Sequence, residues 1–217
     1  DKLSSALLKK TGTSSEIKVR YTLNHGQETM SFLKNNGLSE SSLSYASSFV
    51  GNVAKLAREM EPGPNGLVTA YLKDVLLYDH GVATAMVTSL LVVPLKLEGS
   101  RPVEIVGMAS LFHDIGLMQM PPEVQTEDES KMTEPMRALY RTHPTVAAGI
   151  LASITGVDPA VIQAVTQHHD RRDKSGFSNR AQASTLHRVA EMVGIADEYV
   201  RLMEKTKVDP NFDVYKE

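Results

Sequence analysis

Five histidines and two aspartates fall on the apolar faces of predicted helices. His80, for example, follows Leu76 and Leu77 at the spacing of one helical face. Buried imidazoles and carboxylates cost free energy unless they are hydrogen-bonded or bound to an ion. An ordinary hydrogen-bonded core residue explains any one of them, but five inward imidazoles would require five separate partners. A shared pair of metal ions satisfies the whole set, which is His80, His113, Asp114, His143, His168, His169 and Asp197.

The residue types in this set restrict the kind of metal. Adjacent helical residues such as His113 and Asp114 point about 100° apart, so one ion suits both poorly, whereas a carboxylate can join two neighbouring ions. The chain has no cysteine, which excludes thiolate sites and disulfides. Imidazole with carboxylate favours iron, manganese or zinc, and magnesium is a poor match for so many nitrogens. We therefore predict two divalent transition-metal ions, iron first and otherwise manganese or zinc.

Helices must position these side chains, because the chain after residue 66 has helical periodicity and no convincing strand. Before that point, residues 16–23 alternate between apolar and polar side chains, which is the period of a strand. Polar composition predicts loops at 123–131 and 171–183. The predicted helices are 27–35, 39–60, 67–91, 102–116, 134–140, 144–154, 158–170 and 185–205.

Residues 61–66, Glu-Pro-Gly-Pro-Asn-Gly, form the strongest break in the sequence. We place a domain boundary there. Residues 1–62 are predicted to form a small N-terminal regulatory or dimerising segment, or part of a truncated domain, and residues 63–217 the metal-binding domain. A helical extension of the same bundle is the alternative for residues 1–62.

The composition bounds the class of protein. Of the 217 residues 41% are hydrophobic and 23% are charged, as in soluble globular domains. The net charge of −3 argues against binding a nucleic acid polymer, since no basic excess is available to neutralise phosphates. No apolar run reaches the length of a membrane span. We expect a cytoplasmic protein, in keeping with the lack of cysteine.

Several motifs follow one another in order along residues 70–205. His113-Asp114-Ile115-Gly116 is an H-D-x-G sequence, and His168-His169-Asp170 and residues 173–178 (Asp-Lys-Ser-Gly-Phe-Ser) follow it. Residues 186–189 and 195–197 then place Leu-His-Arg-Val before Ile-Ala-Asp. Together these motifs resemble the HD superfamily of metal-dependent phosphohydrolases, and within it the bacterial HD-GYP branch.

The resemblance implies an all-α HD-domain helical bundle and hydrolysis of cyclic di-GMP. Two cations roughly 3.5–4 Å apart would polarise the phosphate and supply the hydroxide that attacks phosphorus in line. Some relatives hold a third metal through a glutamate four residues before the first histidine, where this chain has Leu76, so we expect two ions. The implied ligands are His80, His113, Asp114 and Asp197 for one ion, and Asp114, His143, His168 and His169 for the other, with Asp114 as the bridging catalytic residue.

The parts that would contact the substrate depart from the family pattern. Leu117 stands where the family has a lysine, which removes a charge-assisted contact of about 1.5–3 kcal/mol. Phe177 and Ser178 replace the tyrosine and proline of the GYP motif, and residues 198–201 (Glu-Tyr-Val-Arg) replace the usual D-A-L run. Other cations could compensate, although simple solvation is the alternative for them. The predicted substrate contacts are Arg172, Lys174 and Arg188.

Three functions therefore stay open. An active phosphodiesterase on cyclic di-GMP or a related nucleotide is favoured by the metal ligands. The alternative is a metal-containing module that binds a cyclic dinucleotide or signals with little or no turnover. A general HD nucleotidase or phosphatase with another substrate is the third. The predicted partner is a cyclic dinucleotide, and a signalling protein and a homodimer are left open.

Overall fold

The computed structural model of the chain describes residues 14–59, 79–92, 94–97, 99–126, 128–178, 186–208 and 212. Within these ranges the regular structure is helical with no strand, which confirms the predicted all-α class. None of the described helices is both long and apolar enough to cross a bilayer. Two 3₁₀ turns lie at Ile115–Gln119 and Glu129–Lys131. The α-helices are α1 (Ser15–Asn36), α2 (Glu40–Glu59), α3 (His80–Val92), α4 (Ser100–Phe112), α5 (Pro122–Thr126), α6 (Glu134–Tyr140), α7 (His143–Ala152), α8 (Pro159–Gln167) and α9 (Arg188–Val208).

The first turns of α1 occupy the residues for which a strand was predicted. Val19 and Leu23 are buried at a spacing of four residues, which places them on one face of a helix. Ile17 and Tyr21, which completed the alternating pattern, are exposed. The strand prediction is wrong, because the apolar alternation covers only a few residues and the helical period continues through Met30.

The other predicted helices are present in the described residues with shifted ends. The region 123–131, predicted as a loop, instead contains α5 and a 3₁₀ turn. Val124 and Met132 from this region bury against Met120 and Tyr140, and this small apolar cluster explains why the segment is ordered as helix. Leu76, the start of the predicted helix 67–91 and the proposed boundary near residue 62 lie outside the described residues.

Helix α4 is the central element of the bundle. It packs against α2, α3, α8 and α9, while α7 packs against α8 and the 3₁₀ turn at Ile115–Gln119. One apolar core runs through these helices and includes Phe49 of α2, Met86 of α3, Phe112 of α4 and Val165 of α8. The C-terminal end of α4 is therefore buried where several helices meet.

Helix α1 packs against α2 and α3 and also contacts the residue that precedes α3. Lys34 Nζ lies 2.6 Å from Asp79 Oδ2, and the backbone N–H of Asp79 donates to Gln27 Oε1 at 3.1 Å. The other carboxylate oxygen of Asp79 accepts from the Gly81 N–H at 3.1 Å, which satisfies a free donor of the first turn of α3. The start of α3, where His80 lies, is thus held by α1.

Candidate metal centre

The seven side chains predicted as metal ligands lie together around the end of α4. Four helix ends and one helix interior supply them: His80 begins α3, His113 and Asp114 follow α4, His143 begins α7, His168 and His169 follow α8, and Asp197 lies within α9. Their potential ligand atoms form two groups, each with all atoms within 4.8 Å of one another. The first group is His80, His113, Asp114 and Asp197, and the second is Asp114, His143, His168 and His169. We call these seven residues the centre.

Three of the histidines are oriented by backbone carbonyls of the preceding turn. A carbonyl oxygen only accepts hydrogen bonds, so in each ring Nδ1 carries the hydrogen. The other nitrogen, Nε2, is then free to direct its lone pair at the middle of the centre, as in histidines that bind metals. The Nδ1 donors and acceptors are His113 to Ser110 O at 2.7 Å, His143 to Tyr140 O at 2.8 Å, and His168 to Val165 O at 2.6 Å.

Several buried polar atoms of the centre lack a hydrogen-bond partner among the described residues. They are His113 Nε2, Asp114 Oδ1, His169 Nε2 and Asp197 Oδ2. In addition, His143 Nε2 lies 3.3 Å from His168 Nε2 and 3.0 Å from Asp114 Oδ1. Atoms that offer lone pairs are unfavourable at such distances unless a cation lies among them. Because imidazole nitrogen and carboxylate oxygen are ligands of transition metals, the residues present fit a metal site.

Burial favours the metal-binding form of His168 and His169, whereas His80 differs. Burial lowers the pKa of His168 and lowers that of His169 well below its ordinary value. Both rings therefore keep the unprotonated form that metals bind at neutral pH. Burial alone would also lower the pKa of His80, but hydrogen bonds to Asp197 and Glu204 outweigh it and raise that pKa to about 9. His80 Nε2 lies 2.8 Å from Asp197 Oδ1, and Nδ1 faces Glu204.

Arg201 also belongs to this site, although none of the recognised motifs singles it out. Its Nε donates to Asp197 Oδ1 at 2.6 Å, and a terminal nitrogen donates to Asp114 Oδ2 at 2.7 Å. Burial would raise the pKa of both carboxyl groups, but Arg201 and the neighbouring histidines hold each pKa well below its usual range. The spacing of four residues after Asp197 was an available signal, whereas the contact with Asp114 requires the tertiary fold.

Two glycines of the motifs allow the backbone to pack closely around the centre. A Cβ atom added to Gly116 would lie 2.2 Å from His143 O, and one added to Gly176 would lie 2.3 Å from His169 O. Any larger residue would push these backbone segments apart. The glycines therefore fix the positions of His143 and His169, which is the physical reason for glycine at both places in the motifs.

An open cleft of about 870 Å³ lies over the centre. His80, Asp114, His169 and Arg201 reach its floor. The ring of Phe177 stacks on His169, with the ring centroids 4.1 Å apart and the planes at 22°. The apolar side of the cleft, which we call the wall, consists of Leu117, Met118, Tyr140 and Phe177.

A family model described as an HD domain matches residues 49–211, about three quarters of the chain. This chain belongs to the HD-domain family. The match begins within α2, so α1 precedes it.

Two known proteins resemble this chain. The chain is 30% identical over 133 residues to the cyclic di-GMP phosphodiesterase PA4108 of Pseudomonas aeruginosa, a match that covers 61% of this chain and 32% of that protein. The chain thus spans about a third of that relative's length. It also resembles the solved structure of Bd1817, a HDG"Y"P protein from Bdellovibrio bacteriovorus, with a TM-score of 0.75 and 17% identity over 98% of this chain and 72% of that one. That likeness shows a shared fold, and the set of matches confirms the resemblance to the HD-GYP branch.

The HD domain departs from the HD-GYP pattern at residues that line the cleft. Leu117 presents an alkyl side chain to the cleft in place of a cation. Phe177 keeps an aromatic ring over His169 but has no hydroxyl group. The loop that carries Phe177 is tied to the end of the His168-His169-Asp170 motif, because the Ser178 N–H donates to Asp170 Oδ1 at 3.1 Å.

The cations predicted to contact substrate lie at the surface in this structure. Arg172 donates to both carboxylate oxygens of Glu191, and Lys174 and Arg188 are exposed. Their role in substrate binding stays a prediction. The cationic side chains that line the cleft, among the described residues, are Lys34, Arg171, Arg201 and Lys205.

Proposed function

We propose that this HD domain is a metal-dependent phosphodiesterase that hydrolyses cyclic di-GMP through a two-metal centre. The observation that supports it most is the pair of ligand groups that share Asp114. Each group offers imidazole and carboxylate atoms, and Asp114 presents one oxygen to each: Oδ1 faces His143 at 3.0 Å, and Oδ2 faces His113 at 3.5 Å. A carboxylate placed in this way is suited to join two ions.

The first group would hold one ion and the second group the other. We infer divalent transition-metal ions, iron first and otherwise manganese or zinc, because imidazole and carboxylate ligands suit this class of ion. When bound, such ions act as Lewis acids that polarise a phosphoryl oxygen and activate the attacking water. Asp114 would be a ligand at both positions, and the backbone carbonyls behind His113, His143 and His168 hold these rings in the orientation that binding requires.

The cleft has the size and the chemical character that a cyclic dinucleotide needs. Its volume of about 870 Å³ lies within the range of about 300–1,000 Å³ that is typical of small-molecule sites. Phe177, which is partly exposed at the cleft, offers aromatic surface against which a purine base can pack. Lys205 lines the same cleft and can contact a phosphate, whereas Lys34 is paired with Asp79. The substrate role of Arg172, Lys174 and Arg188, a signalling partner and a homodimer stay predictions.

A second candidate is a metal-containing module that binds a cyclic dinucleotide without turning it over. The observation in its favour is Leu117, which lines the cleft in the place of the lysine of the HD-GYP pattern. Without that cation, the phosphate under attack loses one charge-assisted contact in the transition state. Binding of the bases along the wall does not depend on this contact.

Turnover by the metal-loaded chain separates the two candidates. The chain is loaded with Fe²⁺ under anaerobic conditions, or with Mn²⁺, and incubated with cyclic di-GMP and with bis(p-nitrophenyl) phosphate. We expect hydrolysis of both, and a loss of about a hundredfold or more in His113→Ala and Asp114→Ala. Arg101→Ala is the matched control, because Arg101 pairs with Asp158 at the opposite end of α4, roughly 18 Å away at 1.5 Å per residue.

Each outcome of this assay assigns the function. Two bound ions without hydrolysis of any cyclic dinucleotide would favour the binding module. Hydrolysis of the synthetic diester alone would favour a general HD phosphatase with another substrate. A chain that binds no transition metal would contradict all three.

A further inference from the structure

The two metal positions are unequal in their surroundings, and Arg201 causes the difference. This side chain lies on α9, one turn after Asp197, and 32% of it is exposed at the floor of the cleft. Its guanidinium spans two carboxylates, with Nε at 2.6 Å from Asp197 Oδ1 and a terminal nitrogen at 2.7 Å from Asp114 Oδ2. A single fixed cation therefore pairs with both acidic residues of the first group.

The two oxygens that Arg201 contacts are the ones nearest to the first group of histidines. Asp197 Oδ1 lies 2.8 Å from His80 Nε2 and 3.5 Å from His113 Nε2, and Asp114 Oδ2 lies 3.5 Å from His113 Nε2. An ion bound through these two oxygens must share them with the guanidinium or displace it. Its entry is opposed by the positive charge of Arg201 and by the loss of two charge-assisted hydrogen bonds.

The second group is free of this competition. Asp114 Oδ1, the oxygen that faces His143 and His168, has no hydrogen-bond partner among the residues that the structure describes. Arg201 makes its contacts with Asp114 through the other oxygen. The three histidines of the second group are buried or nearly so, with side-chain exposures of 0%, 0% and 10%. An ion at this position meets a carboxylate oxygen that Arg201 does not contact and the ring nitrogens of three histidines.

We propose that Arg201 is a built-in counter-ion that makes the first metal position weak and leaves the second position strong. The chain then binds one ion tightly through Asp114, His143, His168 and His169, and a second ion only at higher metal concentration, when the guanidinium leaves Asp114 and Asp197. This inference rests on the proposed metal centre and adds an order of loading to it. Arg201 thereby controls how much metal is needed to complete the centre.

Titration of the chelator-treated 217-residue chain with Mn²⁺ tests this inference. Calorimetry gives the affinities, elemental analysis gives ions per chain, and electron paramagnetic resonance reports coupling between two neighbouring Mn²⁺ ions. We expect one tight site and a second at least about tenfold weaker, with the coupled signal appearing only as the weak site fills. In Arg201→Ala and Arg201→Gln the weak site should tighten at least about tenfold, and Arg201→Lys should stay near the unsubstituted chain. Arg101→Ala, which removes a surface arginine, should leave both affinities unchanged.

Two ligand variants identify which position is which without any change at Arg201. His143→Ala should abolish tight binding, whereas His80→Ala should abolish only the weak site. This pair also decides the question if the Arg201 variants do not fold, which circular dichroism would reveal.

The possible results separate the inference from the proposed function. Two equally tight sites in the unsubstituted chain, or no gain of affinity in folded Arg201→Ala, would overturn the role of Arg201 while the two-metal centre stands. Loss of the tight site in His80→Ala rather than His143→Ala would reverse the assigned order and overturn the inference too. Failure of the chain and of Arg201→Ala to bind any Mn²⁺ would refute the metal centre itself.

Discussion

The centre and the wall of the cleft are built by different means. Residues of the centre are fixed by helix ends that meet in one apolar core, and three of the rings are also held by backbone carbonyls. Leu117 and Phe177 of the wall lie instead on a short 3₁₀ turn and on a loop. Substitutions of Leu117 and Phe177 therefore change what the cleft contacts without removing a hydrogen bond that orients a histidine of the centre. This difference explains how the ligand set keeps the HD-GYP pattern where the substrate-facing positions depart from it.

Gly116→Ala should break the centre and leave the wall's own side chains unchanged. The added Cβ would lie 2.2 Å from the carbonyl oxygen of His143, so α7 must move. We expect a loss of about 3 kcal/mol in the free energy of unfolding, measured by urea denaturation, and weaker metal binding. Gly149→Ala on the exposed side of α7, where nothing lies within 4 Å of the new methyl group, should instead stabilise by about 0.5–1 kcal/mol. Equal stability of the two variants would show that the close approach at Gly116 is unimportant.

Leu117→Lys should change the wall and leave the centre intact. The new ammonium group would face the cleft and form a charge-assisted contact with a phosphate, worth about 1.5–3 kcal/mol. We expect kcat/KM for cyclic di-GMP to rise about tenfold or more, with metal content per chain unchanged. Leu117→Met is the uncharged control. A rise with both variants would assign the effect to packing and not to charge.

Glu204→Gln should lower the metal affinity of the centre, because Glu204 contacts the ring nitrogen of His80 that points away from Asp197. Glu204 faces His80 Nδ1 at 3.3 Å and orients this ring toward Asp197. Substitution of such a supporting group lowers metal affinity about tenfold to a hundredfold, and we expect the lower end because Glu204 is partly exposed. Mn²⁺ titration should place the loss at the weak position. Loss at the strong position would contradict the assignment of His80 to the first group.

Phe177→Ala, a substitution in the wall, should have the smallest effect of the four, a modest rise in KM. The phenyl ring stacks on His169 and lies near Arg141, with the guanidinium carbon 5.2 Å from the ring centroid. Removing it should raise KM about fivefold, since an aromatic pair contributes about 0.5–1.5 kcal/mol. Phe177→Tyr, which restores the GYP residue, should keep KM at or below that of the unsubstituted chain. An unchanged KM in Phe177→Ala would exclude stacking of a base at this position.

The centre could be predicted from sequence because its residues interrupt apolar helical faces, where polar groups need a reason to be buried. Arg201 could not be assigned in the same way. Its partner Asp114 is 87 positions away in sequence, and an exposed arginine on a terminal helix has the same pattern as one that turns inward. The substrate contacts predicted at Arg172, Lys174 and Arg188 rest on loop composition, which does not show which way a side chain points.

Some of the secondary structure was predictable from the sequence and some was not. Long helices with a continuous apolar stripe, such as α2 and α9, were predictable from periodicity. The first turns of α1 were not, because the alternation of Ile17, Val19, Tyr21 and Leu23 also satisfies the spacing of a strand. Only the burial of Val19 and Leu23 against the rest of the core decides between the two.

Gln27 and Lys34 of α1 bind Asp79, so a fragment that retains the complete site must include α1. A protein trimmed to the residues that the family model matches would begin at residue 49 and lose both Gln27 and Lys34. The first turn of α3 would then keep its cap but lose its two external anchors, and His80 would be free to shift with it. A displacement of α1 would therefore shift His80 through Asp79, the residue beside it.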